Sequence, residues 1–244
     1  MMKKTVLAVV TVSMLGLAGC SAVHTAVAKR NLDVQTKMSE TIFLEPAAER
    51  TVYLQIRNTS TEQDLSLEPK LRQALQNKGM TISTNPDTAQ YWIQANVLSV
   101  GKMNLRDAEN TLMSGYGAGA FGAAAAAGVV GYNSSSGGAA LGAGLVGALV
   151  GVAADAMVED TNYTMVTDLQ IAEKAPKGVT VTTDNIAMLK QGTSGGKVQT
   201  STAQGDRHKY QTRVVSNANQ VNLEFKDAKT ALEDQLSKSV AGIF

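Results

Sequence analysis

The feature that most constrains this chain is a long stretch without charge in its middle. Residues 111–154, 44 positions in a chain of 244, contain no Asp, Glu, Lys or Arg, and Gly and Ala dominate them. Such a length without charge is more typical of a membrane-embedded segment than of a soluble core. The stretch divides into two segments, 112–132 and 138–158, each about 21 residues or roughly 31 Å long as a helix. We therefore predict an inserted helical hairpin that crosses a membrane.

Small residues in this stretch favour close packing between helices. Gly and Ala drive membrane insertion poorly, but small residues four positions apart let two helix backbones approach each other. Three such pairs lie in the two segments: Gly115 and Gly119, Gly138 and Gly142, and Gly147 and Gly151. Because both predicted helices carry glycine strips, we expect an oligomer, with a closed ring favoured over a dimer. The same composition also permits a flexible linker, although the large apolar residues of the second segment argue against one.

A polar turn separates the two predicted helices. It consists of Asn133, Ser134, Ser135, Ser136 and Gly137, followed by Gly138. If both ends of the hairpin lie on the inner side of the membrane, only these residues reach the outside. We therefore predict that this tip is exposed at the cell surface and determines the specificity of contacts made there.

The N-terminus has the layout of a bacterial lipoprotein signal. Lys3 and Lys4 form a positive segment, residues 6–17 are mainly apolar, and the sequence LAGC follows at 17–20. Small residues before a cysteine admit the chain to the processing site, and the thiol accepts diacylglycerol. We predict cleavage of residues 1–19 and lipid attachment to Cys20, the alternative being an ordinary secretory signal that ends near a cysteine.

Cys20 is the only cysteine in the chain, so neither a disulfide nor a cysteine-ligated metal site is available. No cofactor is expected beyond the covalent lipid, an S-diacylglycerol group and an N-acyl chain on Cys20. Several acyl chains hold a protein firmly on a bilayer. Ser21 stands where an Asp would favour retention at the inner membrane, so we predict an outer-membrane lipoprotein with part of its surface exposed outside the cell.

The net charge of the chain does not favour nucleic-acid binding. Removing the signal deletes two lysines and leaves 22 − 2 = 20 basic residues against 21 acidic ones, a net charge of −1. A near-neutral chain without a basic run lacks the electrostatic footprint that phosphate binding needs. Nucleic acid is therefore not an expected partner.

No motif in the chain indicates catalysis. The two histidines, His24 and His208, are not in a metal-ligand spacing. Residues 117–122 match G-x-G-x-x-G, but no strand leads into them and the next acidic residue, Asp155, is too distant for a ribose contact. The sequence therefore indicates a barrier or scaffold and not an enzyme.

The two flanking segments show the periodicity of a small folded domain. Before the uncharged stretch, residues 51–57, 81–84 and 91–100 alternate as strands do, and residues 67–78 form an amphipathic helix. After it, residues 162–172 and 209–215 resemble strands, and residues 225–244 resemble an amphipathic helix. The first part is predicted as a β-α-β-β unit.

These patterns predict one small α/β (α+β) domain interrupted by a transmembrane helical hairpin. The predicted organisation is a signal peptide at 1–19, a lipid anchor and tether at 20–40, the first part of the domain at 41–110, the hairpin at 111–158 and the second part of the domain at 159–244.

Five segments of the chain carry a more specific likeness. They are residues 37–60 (KMSETIFLEPAAERTVYLQIRNTS), 91–98 (YWIQANVL), 154–173 (ADAMVEDTNYTMVTDLQIAE), 181–195 (VTTDNIAMLKQGTSG) and 208–225 (HKYQTRVVSNANQVNLEF). Together they resemble the TraT family, the surface-exclusion and complement-resistance lipoproteins of conjugative plasmids. The likeness covers nearly all of the mature chain, and Cys20 matches the family's lipidated position.

The resemblance implies an abundant, oligomeric outer-membrane lipoprotein. Such a protein prevents a plasmid-bearing cell from serving as recipient for another donor and adds resistance to serum killing. The expected partners are further copies of the chain, outer-membrane lipid and the mating apparatus of the donor cell. Two other functions stay open from the residues alone, namely an oligomeric outer-membrane pore and a structural scaffold of the envelope.

Overall fold

The computed structural model describes residues 27–117, 159–191 and 195–244. Eight strands and three helices are described: β1 (Asp33–Met38), β2 (Thr51–Asn58), α1 (Leu67–Asn77), β3 (Thr81–Ser83), β4 (Tyr91–Lys102), α2 (Leu105–Met113), β5 (Asp160–Lys174), β6 (Val181–Gln191), β7 (Gly195–Gly205), β8 (Arg207–Val221) and α3 (Phe225–Ala241).

Six of the strands form one mixed sheet in the order β1-β8-β5-β4-β2-β3. β2 runs parallel to β3 and β4, because α1 makes the crossover that parallel strands require. The other neighbours are antiparallel. β5 and β8 are the longest strands, with 15 residues each, and they pair from Asp160 opposite Val221 to Lys174 opposite Arg207. The sheet is therefore built around a long β5–β8 ladder.

The main core lies between one face of the sheet and the helices α1 and α3. Leu71 and Leu75 of α1 and Leu232 of α3 are buried against sheet residues such as Ile93 and Leu169. The spacing of four between the two α1 leucines places both on one helix face. Full burial of each such side chain stabilises the fold by about 1.5–3 kcal/mol.

A smaller cluster covers part of the opposite face. Helix α2 begins after Asn104, whose side chain accepts the backbone N–H of Asp107 at 2.9 Å and caps the helix. Ala108 and Leu112 then pack against Val166 and Val215 of the sheet. Because helices cover both faces of the central strands, β5 contains consecutive buried residues where an exposed strand would alternate.

The remaining strands, β6 and β7, form a separate two-stranded sheet. Their ladder runs without a register shift from Val181 opposite Gly205 to Gln191 opposite Gly195. The two strands are joined to the ends of β5 and β8, so the pair continues outward from the six-stranded domain. We refer to residues 181–191 and 195–205 as the arm.

The predicted fold class, an α/β domain with an inserted transmembrane helical hairpin, is wrong. The described chain consists mostly of β-sheet with three helices, and none of these helices is long and apolar enough to cross a membrane. The start of the uncharged stretch belongs to α2, which ends at Met113 and packs Leu112 against the sheet. Gly115 and Gly117 then take positive φ angles of 73° and 69°, which interrupt any helix there. The rest of the predicted hairpin, residues 118–158, lies outside the described residues.

Candidate functional site

Most of the residues singled out from the sequence lie outside the part of the chain that the structure describes. They are Cys20, the predicted tip residues Asn133, Ser134, Ser135, Ser136, Gly137 and Gly138, and the predicted helix-packing residues Gly119, Gly142, Gly147 and Gly151. Their roles therefore stay predictions.

Gly115 is described, and it lies in the turn that follows α2. A Cβ atom added to it would meet no other atom within 4 Å. Its predicted packing partner, Gly119, lies outside the described residues, so the packing role of Gly115 stays a prediction. The positive φ of Gly115, 73°, costs glycine little. This turn marks the point at which residues 118–158 leave the described domain.

A buried ion pair holds this departure point to the sheet. Arg213 of β8 is 1% exposed and binds Asp168 of β5 with both ends of its guanidinium, Nε to Oδ1 at 2.8 Å and Nη2 to Oδ2 at 3.1 Å. Its third nitrogen, Nη1, donates to the Ser114 hydroxyl at 2.8 Å. Asp168 Oδ2 also accepts the backbone N–H of Gly117 at 3.0 Å. The Arg213–Asp168 ion pair thus attaches the end of α2 and the following turn to the sheet.

The chain re-enters the domain at a second fastened point. Glu159 forms an ion pair with Lys102 at the end of β4, with 2.9 Å between Nζ and Oε1. The backbone N–H of Glu159 donates to the side chain of Asn222, which itself has a positive φ of 51°. The exit and the return of the intervening segment are therefore attached separately to the sheet.

A row of glutamines crosses the uncovered part of the same sheet face. Gln55, Gln94, Gln170 and Gln211 stand in register on four neighbouring strands. The side-chain nitrogen of Gln211 donates to the side-chain oxygen of Gln170 at 2.7 Å. In the same way Gln170 donates to Gln94 at 2.6 Å, and Gln94 donates to Gln55 at 2.6 Å. Hydrogen bonds aligned in one direction polarise and strengthen one another. The row links β2, β4, β5 and β8 through side chains as well as through the backbone.

A cavity of about 350 Å³ lies between this row and Tyr116, on the turn that leaves the domain. Burial raises the pKa of the Tyr116 phenol, and the nearby negative charge of Asp168 raises it further. Arg57 also lines the cavity. The cavity is small, and its lining combines side-chain amides and the Tyr116 phenol with the charged side chains of Arg57 and Asp168.

The arm is the most exposed feature of the described chain. Its residues 184–186 and 198–205 are exposed, and Ile186 and Val198 present 72% and 61% of their area to solvent. The arm's extensive contacts are between its own two strands. Eleven residues per strand extend about 36 Å. The side chains described at 184–186 and 198–205 therefore lie in solvent, outside the core of the domain.

The base of the arm is held rigidly. Arg207, the first residue of β8, donates to the carbonyl oxygens of Pro86, Ala89 and Gln90 at 3.1 Å, 2.8 Å and 3.1 Å. Its guanidinium carbon lies 4.2 Å from the centre of the Trp92 ring, a cation–π contact. Burial lowers the pKa of Arg207, and nearby carboxylates oppose that effect. One buried cation thus attaches the start of β8, next to the arm, to the loop before β4 and to Trp92.

Sequence reasoning missed the ion pair, the glutamine row and the arm. Asp168 and Arg213 lie far apart in sequence, so only the β5–β8 register brings them opposite each other. The alternation of Gln with apolar residues in the predicted strands was the one signal that pointed to a polar sheet face. Within the described ranges, no group of three or more His, Cys, Asp or Glu residues is placed to hold a metal ion.

These features define a class of protein: an α+β domain with a mixed sheet, a rigidly based β-hairpin arm and a separately fastened inserted segment. Comparison with known proteins gives the family. The profile described as "Enterobacterial TraT complement resistance protein" matches residues 31–244, and the chain belongs to this TraT family.

Relatives in the family match over nearly their whole length. The chain is 60% identical over 242 residues to a TraT complement resistance protein of Escherichia coli, covering 99% of each chain. It is 59% identical over 241 residues to the protein of that name from Escherichia coli strain K12, covering 99% of this chain and 98% of the relative. A more distant TraT complement resistance protein, from Wigglesworthia glossinidia brevipalpis, is 30% identical over 241 residues, with 98% and 95% covered.

Proposed function

We propose that this chain is an outer-membrane lipoprotein that protects the cell from complement and excludes conjugative DNA transfer from related donors. The observation that carries the proposal is the match to TraT complement resistance proteins across 99% of the chain. The family description supports complement resistance directly, whereas surface exclusion rests on the resemblance of the five segments quoted above. No catalytic step is part of the proposal.

The lipid on Cys20 places the domain next to the membrane. Between Cys20 and the start of β1 at Asp33 lie residues 21–32, which extend at most about 40 Å. The folded domain and its arm therefore act within a short distance of the outer membrane. A protein held at this position in many copies obstructs contact between the cell surface and large assemblies that approach it.

Self-association is part of the same proposal. We propose a homo-oligomer, with a closed ring as its form, because a repeated contact between identical copies covers exposed surface on every copy. The support in the described chain is the arm, whose long strands pair with each other and make no extensive contact with another described element.

Conjugation measures exclusion directly. Recipient cells that express the chain are mated with donors carrying a plasmid of the same exclusion group, and transfer is compared with recipients carrying an empty vector. We expect lower transfer into the expressing cells. Donors with an unrelated conjugation system are the matched control, and equal transfer from both donor types into expressing and empty recipients would overturn the exclusion proposal.

Survival in serum measures complement resistance. Cells expressing the chain should survive active serum better than cells with an empty vector, whereas heat-inactivated serum should leave both alive. Equal killing by active serum, at confirmed expression, would contradict this part of the proposal.

Two single substitutions test separately whether the function requires lipidation and whether it requires location in the outer membrane. Cys20→Ala removes lipidation, and Ser21→Asp keeps the lipid but introduces the residue that favours the inner membrane. Fractionation should find the unchanged chain in the outer membrane and the Ser21→Asp variant in the inner membrane. Both variants should lose exclusion and serum resistance. Full activity of Ser21→Asp from the inner membrane would show that outer-membrane placement is not required.

A further inference from the structure

Within the described residues, the arm has two sheet edges that pair with no further strand, one on each of its strands. β6 and β7 form a sheet of only two strands in the described chain, so each strand pairs on one side alone. Along an unpaired edge, every second residue points its backbone N–H and C=O outward, which gives about ten polar groups over eleven residues. These groups form a ready template for another strand.

The edge strands of the described six-stranded sheet are short, whereas the strands of the arm are long. The six-stranded sheet ends in β1 with six residues and β3 with three, and short edge strands resist pairing with another chain. The arm strands have eleven residues each, contain no proline, and pair without a bulge. The 22 residues include three charges, at Asp184, Lys190 and Lys197. Nothing in the sequence of the arm blocks edge pairing along most of its length.

An isolated two-stranded hairpin is marginally stable in water, and three or more strands are normally required. The arm cannot gain the missing strands by folding back, because its base is held by Arg207 and by the bond from the Ala175 N–H to the Asp206 oxygen at 2.8 Å. Among residues 27–117, 159–191 and 195–244 no third strand pairs with the arm, and a second copy of the chain can supply one.

We propose that the outer edge of β6 in one copy pairs with the outer edge of β7 in the next copy, so that the arms of neighbouring subunits form one continuous sheet. This inference rests on the self-association included in the proposed function. The interacting surface is the arm, and its partner is the same arm of a second copy of the chain.

Identical copies fit this arrangement for a directional reason. β6 leads away from the domain and β7 returns, so copies that stand side by side in the same orientation present β6 and β7 antiparallel at the same height. Hydroxyl and amide side chains line both strands: Thr182, Thr183 and Asn185 on β6, and Thr200, Ser201 and Thr202 on β7. Such side chains hydrogen-bond across neighbouring strands. Because each arm has one edge of each kind, every copy engages two neighbours.

Cysteine pairing between copies tests the contact in the full lipidated chain. One tagged copy carries Ile186→Cys on β6, and a second, differently tagged copy carries Val198→Cys, Thr200→Cys or Thr202→Cys on β7. All four positions point to one face of the arm, since Ile186 stands opposite Thr200 in the ladder. Cβ atoms of neighbouring strands are close enough for a disulfide. The three β7 positions allow for a shift in register.

We expect a covalent dimer carrying both tags from at least one co-expressed pair under mild oxidation. The single variants expressed alone, and the chain with only its native Cys20, should give none. Dimers from Ile186→Cys alone would show that β6 meets β6 and would overturn the proposed order.

Measuring the size of the chain in the same detergent extracts distinguishes failure of the arm pairing from failure of the proposed self-association. If no pair cross-links while the chain still migrates as an oligomer, the arm is not the interface but the proposed self-association survives. If the chain is monomeric, the proposed self-association and the arm pairing are both wrong.

Discussion

The six-stranded domain and the arm are continuous along β5 and β8, yet they are stabilised in different ways. In the domain, strands are buried by helices on one or both faces, and residues such as Met165 and Val166 are completely inaccessible to solvent. In the arm, strand pairing continues, and the side chains described at 184–186 and 198–205 are exposed to solvent. Strands can therefore continue through backbone pairing alone, as in the arm, whereas the strands of the domain are also stabilised by burial of apolar side chains.

Removal of the arm separates the two regions most completely. We expect that deleting residues 181–205, which joins Thr180 to Asp206, abolishes self-association but leaves the unfolding transition of the domain unchanged. The reason is that the arm contributes almost no packing to the domain. Size by light scattering in detergent and thermal unfolding by circular dichroism measure the two effects. Loss of folding on deletion would show that the arm supports the domain.

Loss of the buried ion pair should produce the largest change in stability. Arg213→Ala leaves the Asp168 carboxylate, itself 12% exposed, without its cation, and removal of one partner of a buried pair costs about 3–5 kcal/mol. Chemical denaturation of the arm-deleted chain measures the free energy of unfolding. The double variant Arg213→Met with Asp168→Leu removes both charges, and we expect it to lose less than the single variant does. An equal loss would mean that hydrogen bonds to Ser114, and not the charge, dominate.

Truncation of the core beneath α3 should follow. Leu232 is fully buried, and Leu232→Ala should lower the free energy of unfolding by about 2–5 kcal/mol through lost contacts and a residual cavity. Leu105→Ala, at a position 52% exposed at the start of α2, is the matched control and should change it by less than about 0.5 kcal/mol. Similar losses from both would contradict the core assignment.

The smallest expected effect on stability lies in the arm. Ile186→Ser replaces a side chain that is 72% exposed, so the free energy of unfolding should change by less than about 0.5 kcal/mol. The same substitution should weaken association between copies, because exposed apolar area contributes only when a neighbour covers it. Unchanged association would confine the contact between arms to the backbone.

The sequence predicted the strongly periodic elements well. Helix α1 was expected at 67–78 and spans Leu67–Asn77, while β4 was expected at 91–100 and spans Tyr91–Lys102. The β-α-β-β unit is confirmed. These elements bury one apolar face, and burial creates the periodicity from which they were read.

Elements without a buried face were missed for the same reason. The strands of the arm contain Thr, Ser, Gln and Gly where a half-buried strand alternates apolar residues, so no pattern marked them. β1 lay in the predicted tether because its sequence, DVQTKM, is mostly polar. The ion pair between Arg213 and Asp168 was equally hidden, since the β5–β8 register that brings them together depends on the whole sheet.

The long ladders also determine how this protein bears mechanical load. A pull on the arm along its length acts on the adjoining ends of β5 and β8 together, and draws both strands past β4 and β1. Interstrand hydrogen bonds lie perpendicular to that direction, so they are loaded in shear all at once and do not open one after another. The contact of Arg207 with the loop before β4 resists the first displacement.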